Sequence, residues 1–182
     1  MSIISIATIS LLVIILSFVI IVACLVIFFG FNMIYINLKT LVPWARAPMS
    51  GLNNILRELN LPTGSLVYDL GCGDGRFLFL AEAVGLKAVG YELALYPYLK
   101  ARVNKFLKGS QVVIENKDFF KQDLSSADAI FIFLTASVMK KIGKKLKNHL
   151  KSKTIVVSYG FEIPDWKIVK VLDTKPSKTY IY

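Results

Sequence analysis

Ten residues, Val67-Tyr68-Asp69-Leu70-Gly71-Cys72-Gly73-Asp74-Gly75-Arg76, hold the densest chemistry in the chain. An apolar run ends in an acid, and three glycines then alternate with other residues before a second apolar segment begins. Glycine there permits a tight turn and lets a ligand lie against bare main chain. Two more acids close later apolar runs: Glu92 in Val89-Gly90-Tyr91-Glu92, and Asp118 in Asn116-Lys117-Asp118-Phe119. A carboxylate at the end of a second strand accepts hydrogen bonds from both hydroxyls of a ribose, the usual way to hold a nucleoside. Arg76 stands where a dinucleotide fingerprint places its third glycine, which disfavours a nicotinamide-dependent reductase. No nucleophile–base–acid triad or metal cluster stands out. Cys24 and Cys72 lie in an apolar stretch and in the glycine run, positions that suggest neither a disulfide nor a metal site.

These residues need a sheet to position them. Apolar runs of strand length alternate with segments of helical period, the pattern of an α/β, Rossmann-like, mostly parallel sheet with helices on both faces. Ser50 precedes Leu52, Ile55, Leu56 and Leu59, predicting a helix over 50–60 capped by Ser50. Strands are expected over 66–70, 87–92, 112–118, 129–134 and 154–159, with helices over 76–84, 97–108 and 136–150. Asp69, Glu92 and Asp118 then share the carboxyl edge of the sheet, where such folds bind ligands. Only Gly160 to Lys167 separate the fifth strand from the apolar run Ile168–Leu172, and a parallel crossover usually needs a dozen residues or more. That run is therefore expected to return antiparallel and to form a hairpin with Thr179–Tyr182.

The first 38 residues carry no charged side chain. A spanning helix needs ~20 apolar residues, so one transmembrane helix is expected, with Leu11 to Phe31 as its core and Asn32, Tyr35 and Asn37 at an interface. The run is too long for a signal peptide or a buried core helix and has no basic start. Residues 1–38 read as a transmembrane anchor and 39–182 as one compact domain. Lys39 and Arg46 flank the anchor, which places the domain in the cytoplasm and makes the protein single-pass in the membrane. The formal net charge of +10 belongs to that domain. Lysines peak over 139–151, where Val138, Ile142, Leu146 and Leu150 form one buried stripe beneath a lysine face. That face reads either as a solvated surface or as one attracted to anionic lipid. No recognised nucleic-acid motif is present, and no nucleic-acid partner is expected.

The acid-x-Gly-x-Gly-x-Gly run resembles the nucleotide-binding loop of class I S-adenosylmethionine-dependent methyltransferases. More specifically, residues 43–182 resemble the small membrane-anchored lysine methyltransferases that include the mitochondrial enzymes acting on ATP synthase subunit c and on the adenine nucleotide translocase. The matching stretches are Pro43-Trp44-Ala45-Arg46-Ala47-Pro48, Tyr68 to Arg76, Ala88-Val89-Gly90-Tyr91-Glu92-Leu93, Asp118-Phe119-Phe120, Ala127 to Phe133, and Val156 to Phe161 with Ile163-Pro164. The resemblance implies a class I methyltransferase sheet with a C-terminal antiparallel hairpin. It also implies S-adenosyl-L-methionine as cofactor and a membrane-associated protein lysine as acceptor. In that frame Asp69, Gly71, Cys72, Gly73 and Gly75 pass under the methionine part, with Asp69 on its amino group. Glu92 takes the ribose hydroxyls, while Asp118 and Phe119 take the adenine. Thr135, Ser137, Tyr159, Phe161, Trp166, Trp44 and Arg46 are candidates for shaping the acceptor pocket, and His149 caps a helix or faces solvent. A lipid or small-metabolite acceptor, and a donor-binding module without turnover, are the alternatives.

Overall fold

The computed structural model describes the backbone of residues 3–40 and 46–182, and the side chains of residues 8–35 and 46–182. A long helix α1 (Ile3–Thr40) precedes α2 (Met49–Leu59), β1 (Leu66–Leu70), α3 (Arg76–Ala83), β2 (Lys87–Tyr91), α4 (Leu95–Lys108) and β3 (Val113–Glu115). After a 3-10 turn at Phe119–Lys121 come β4 (Ala129–Ile132), α5 (Ala136–His149), β5 (Ile155–Tyr159), β6 (Lys170–Asp173) and β7 (Lys178–Ile181). The seven strands lie in the order β3-β2-β1-β4-β5-β7-β6, and β1 to β5 are parallel.

Strand alternation divides the core into two layers. Val67, Ala129, Phe131, Val157 and Tyr159 face one side with Leu52 and Ile55 of α2, Leu78 and Ala81 of α3, and Ala101 of α4. Tyr68, Leu70, Ile130, Ile132 and Val156 face the other, against Met139, Ile142 and Leu146 of α5. The lysine-rich helix and α4 therefore cover opposite faces of the sheet.

Two local expectations are corrected. Ser50 does not cap α2: Pro48, extended at φ −62°, occupies the N-cap, its carbonyl accepts the Leu52 N–H at 3.2 Å, and Ser50 lies inside the first turn. The antiparallel strand is the last one and not β6. β7 runs antiparallel to both β5 and β6, so β6 points the same way as β1 to β5. Residues 160–169 return to the start of the sheet without a helix. Ten extended residues reach up to ~33 Å, ample for retracing a five-residue strand. Buried Ile163 pins this strap: its N–H donates to the Tyr182 hydroxyl at 2.7 Å, and the Trp166 ring stands edge-on to Tyr182 at 5.7 Å.

Among the described residues α1 contains one span long and apolar enough to cross a membrane, Thr8–Tyr35, 28 residues. Phe29, Asn32 and Met33, spaced to share one face, are partly buried where α1 meets α4. Asn32 Oδ1 accepts the Leu95 N–H at 3.1 Å, and the Phe29 ring stands edge-on to Tyr96 at 6.3 Å. Asn37 and Lys39, expected to flank the span, have side chains outside the described residues.

The strap packs tightly against Gly143 of α5. A Cβ there would lie 2.6 Å from Cγ2 of Ile163 and 3.0 Å from Nε1 of Trp166. Alanine normally favours a helix over glycine by ~1 kcal/mol. Gly143→Ala should nonetheless destabilise the protein by about 1–3 kcal/mol, because stiff, buried Ile163 must be displaced. Denaturant titration of the native and variant chains measures the difference.

Candidate functional site

The carboxyl ends of β1 and β2 meet at the glycine run. Gly71 and Gly75 adopt φ of +86° and +84°, in the left-handed region, and a Cβ on either would lie within 3 Å of Leu134 or Phe79. Four of the loop's amides are committed inside the protein. Gly71 and Cys72 N–H both donate to the Tyr91 carbonyl at 2.9 and 3.0 Å, and Gly75 N–H donates to the Cys72 carbonyl at 2.9 Å. Gly73 N–H donates to Glu92 Oε2 at 2.9 Å. With these four amides engaged, the loop offers bare main chain for close contact with a ligand.

Glu92 is 8% exposed and bridges two peptides, its other oxygen Oε1 accepting the Ala94 N–H at 2.8 Å. Burial raises its carboxyl pKa, opposed by the hydrogen bonds from Ala94, Gly73 and Leu93. Each carboxylate oxygen keeps a second acceptor site. Asp69 is 3% exposed, and its side chain accepts no hydrogen bond among the described residues. Burial above all, then the charges of Glu92 and Asp74, push its carboxyl well above the ordinary range. A buried carboxylate among like charges favours a proton or a cationic ligand beside it.

Asp69, Gly71 and Gly73 line a small cleft with Arg46, Asp74 and Arg76. Asp74 is clamped between the two guanidiniums: Nε of Arg46 and Nε of Arg76 each lie 3.2 Å from one of its oxygens. The cleft thus holds one uncompensated carboxylate beside a cluster of two cations and one anion.

The other expected residues fall out as follows. Cys72 turns its side chain into the core beside Gly90, where a Cβ would lie 2.7 Å from its sulfur. Burial first, then Asp69 and Glu92, push its thiol up, and it lines the cleft as an unreactive thiol. Asp118 does not end a strand, because β3 stops at Glu115. It caps the 3-10 turn, accepting the Phe120 N–H at 2.9 Å, while the Phe119 ring lies 4.4 Å from Phe120. Neither Asp118 nor Phe119 lines the Asp69 cleft. The Asn116 amide ties that segment to the site edge, donating to the Glu92 and Leu93 carbonyls at 2.8 and 3.0 Å.

The expected acceptor-pocket residues are dispersed. Arg46 joins the Asp69 cleft, whereas Trp166 lies in the core layer on the opposite face of the sheet. Trp44 lies outside the described residues. Thr135 and Ser137 hydrogen-bond each other at 2.9 Å, and Phe161 is exposed. Tyr159 is buried against Phe133, edge-on at 4.8 Å, and its hydroxyl finds no partner among the described residues. His149 bonds the Lys145 carbonyl at 2.8 Å at the end of α5. Asp74 and its clamp were missed from sequence, since Arg46 reaches it only through the fold.

A parallel sheet ending in an antiparallel hairpin, with this loop at its carboxyl edge, defines a class I S-adenosylmethionine-dependent methyltransferase. A family model described as the ANTKMT methyltransferase domain matches residues 69–170. A protein-lysine N-methyltransferase of Saccharolobus islandicus (strain REY15A) is 34% identical over 149 residues, covering 78% of this chain and 92% of that protein. The adenine nucleotide translocase lysine N-methyltransferase of Mus musculus is 32% identical over 156 residues, covering 84% of this chain and 67% of that protein. Among solved structures, an RNA methyltransferase from Salinibacter ruber in complex with S-adenosyl-L-homocysteine superposes with a TM-score of 0.72 at 28% identity, covering 76% of this chain and 92% of that one. The chain belongs to the ANTKMT methyltransferase domain family.

The raised carboxyl pKa values of Asp69 and Glu92 mean that the folded protein without donor holds protons the unfolded chain has released. The resulting stability is present at low pH and is lost as pH rises from the ordinary carboxyl range through those raised values. Asp69→Asn should flatten this decline. It should be more stable than the native chain above the raised range, by about 1–3 kcal/mol. Unfolding curves across pH on both chains, without donor, give the comparison.

Proposed function

We propose that the chain is a membrane-anchored enzyme that methylates a lysine side chain of a membrane-associated protein, with the donor held in the Asp69 cleft. What carries this reading is the cleft's charge pattern. A buried carboxylate that accepts no hydrogen bond among the described residues, two guanidiniums lining the same cleft and a bridging glutamate suit an amino-acid zwitterion joined to a ribose. When bound, S-adenosyl-L-methionine offers a methyl carbon on a positively charged sulfur that is already a good leaving group. Asp69 would take the methionine ammonium, directly or through water, and Arg46 and Arg76 its carboxylate. Glu92 would accept from the ribose hydroxyls on its free acceptor sites. Asp118, through its second oxygen, and Phe119 would receive the adenine.

The chain's remaining task is to align an acceptor amine and exclude water, because methyl transfer is an in-line displacement. A lysine acceptor (reference pKa ~10.4) must first lose its proton, and partial desolvation at the site mouth assists. The two curated relatives, named for lysine methylation, support lysine as acceptor. The apolar span of α1 supports the anchor, with residues 39–182 as the catalytic domain on the side that Lys39 and Arg46 mark as cytoplasmic. Tethering raises the local concentration of membrane acceptors without new contacts. The lysine face of α5 is partly engaged within the domain: Lys141 sits 4.1 Å above the Phe120 ring, and Lys145 donates to the Gln122 carbonyl at 2.7 Å.

The test uses the full chain in detergent, donor labelled in its methyl group, and membranes as the acceptor source. Label should enter protein and emerge as methyl-lysine on hydrolysis. Asp69→Asn should cut incorporation at least tenfold, or ~1.4 kcal/mol. Label in lipid or RNA instead would overturn the lysine assignment, and turnover-free donor binding would make the protein a non-catalytic module.

A further inference from the structure

The face of α4 turned away from the core does not look like the surface of a water-soluble domain. Pro97 and Ala101 face inward, whereas Tyr96, Leu99, Val103, Phe106 and Leu107 are exposed, Phe106 by 84% and Leu107 by 74%. At 100° per residue these five side chains fall within an arc of about 100°, one continuous apolar stripe. Lys100 and Arg102 border the stripe on either side, and Lys105 and Lys108 follow in the last turn. An amphipathic helix with an apolar face and basic borders is the form that lies in a lipid interface.

The packing of α1 against the head of α4 bears on what covers this stripe. Asn32, at the polar end of the apolar span, accepts the first N–H of α4, and Phe29 touches Tyr96, the first residue of the stripe. The anchor therefore delivers the start of α4 to the depth where the span leaves the hydrocarbon. We propose that α4 is an interfacial helix whose Tyr96–Leu107 stripe lies in the surface of an anionic bilayer, docking the domain in one orientation about its anchor. This rests on the reading of α1 as a membrane span. It assigns the lipid contact to α4, while the lysine face of α5 lies across the sheet from the layer that α1 joins. Glu92, whose carboxylate holds the Ala94 N–H at the head of α4, thereby sets the donor cleft beside the headgroups.

The experiment places single spin labels on the full chain, in a Cys24→Ser background that leaves only buried Cys72, in vesicles of phosphatidylcholine and phosphatidylglycerol. Labels at Ile20→Cys, Val103→Cys, Phe106→Cys and Lys144→Cys are compared for access to oxygen, which partitions into lipid, and to a water-soluble nickel chelate. Expected are a label at position 20 in the hydrocarbon, labels at 103 and 106 oxygen-accessible ~5–10 Å below the phosphates, and an aqueous label at 144. Lipid exposure at 20 with aqueous labels at 103 and 106 overturns the docking and leaves the anchor standing. Labels at 103 and 106 shielded from both reagents also overturn it, since a second protein surface then covers the stripe. An aqueous label at 20 removes the anchor and the docking together.

Discussion

Glu92 holds two peptide N–H groups at once, and the rest of the site is arranged around that bridge. One oxygen fixes Gly73 in the middle of the glycine run, and the other fixes Ala94 at the head of α4. The next amide, Leu95, is taken by Asn32 of the apolar helix. Three hydrogen bonds therefore connect the glycine run, the start of α4 and the apolar helix α1. Glu92 is buried, so losing either partner would leave a desolvated acceptor, which gives the bridge its rigidity. On the proposed reading, membrane attachment and donor binding would both rest on one short stretch, residues 92–95.

The glycine run is shaped by what it does not offer. With the amides of Gly71, Cys72, Gly73 and Gly75 engaged inside the protein, the cleft presents mainly carboxylates, guanidiniums and bare main chain. That combination suits a cationic, phosphate-free nucleoside better than a dinucleotide. Asp69 stands at its centre, destabilised by burial and by the neighbouring charges of Glu92 and Asp74. A positively charged ligand relieves that cost, so the unfavourable burial of Asp69 becomes selectivity for the ligand.

Much of this was legible in the chain, for physical reasons. Alternating strand and helix periods marked the strands β1 to β5 to within a few residues, because each holds an apolar run bounded by glycine or polar residues. The loop was legible because left-handed turns demand glycine at fixed positions. Contacts made only by folding were not legible. Arg46 and Arg76 clamp Asp74 across the loop, and nothing in the spacing of residues 46 and 74 announces it. The direction of β6 was misread because the crossover rule presumes a helix, whereas Ile163 and Trp166 let a bare strap cross the face of α5. Pro48 displaced the expected Ser50 cap because its fixed φ already sets the turn. Period alone also does not separate a buried stripe from an exposed one, so the apolar face of α4 emerged only with the structure.

Calorimetric titration of S-adenosyl-L-methionine into the full chain, in two buffers of differing ionisation enthalpy and across pH, tests the central claim most directly. A cation settling beside Asp69 lowers its raised pKa, so binding should release a proton and tighten as pH rises through that range. Asp69→Asn should bind more weakly, without the proton. Affinity independent of pH and identical in the native and Asp69→Asn chains would contradict the account.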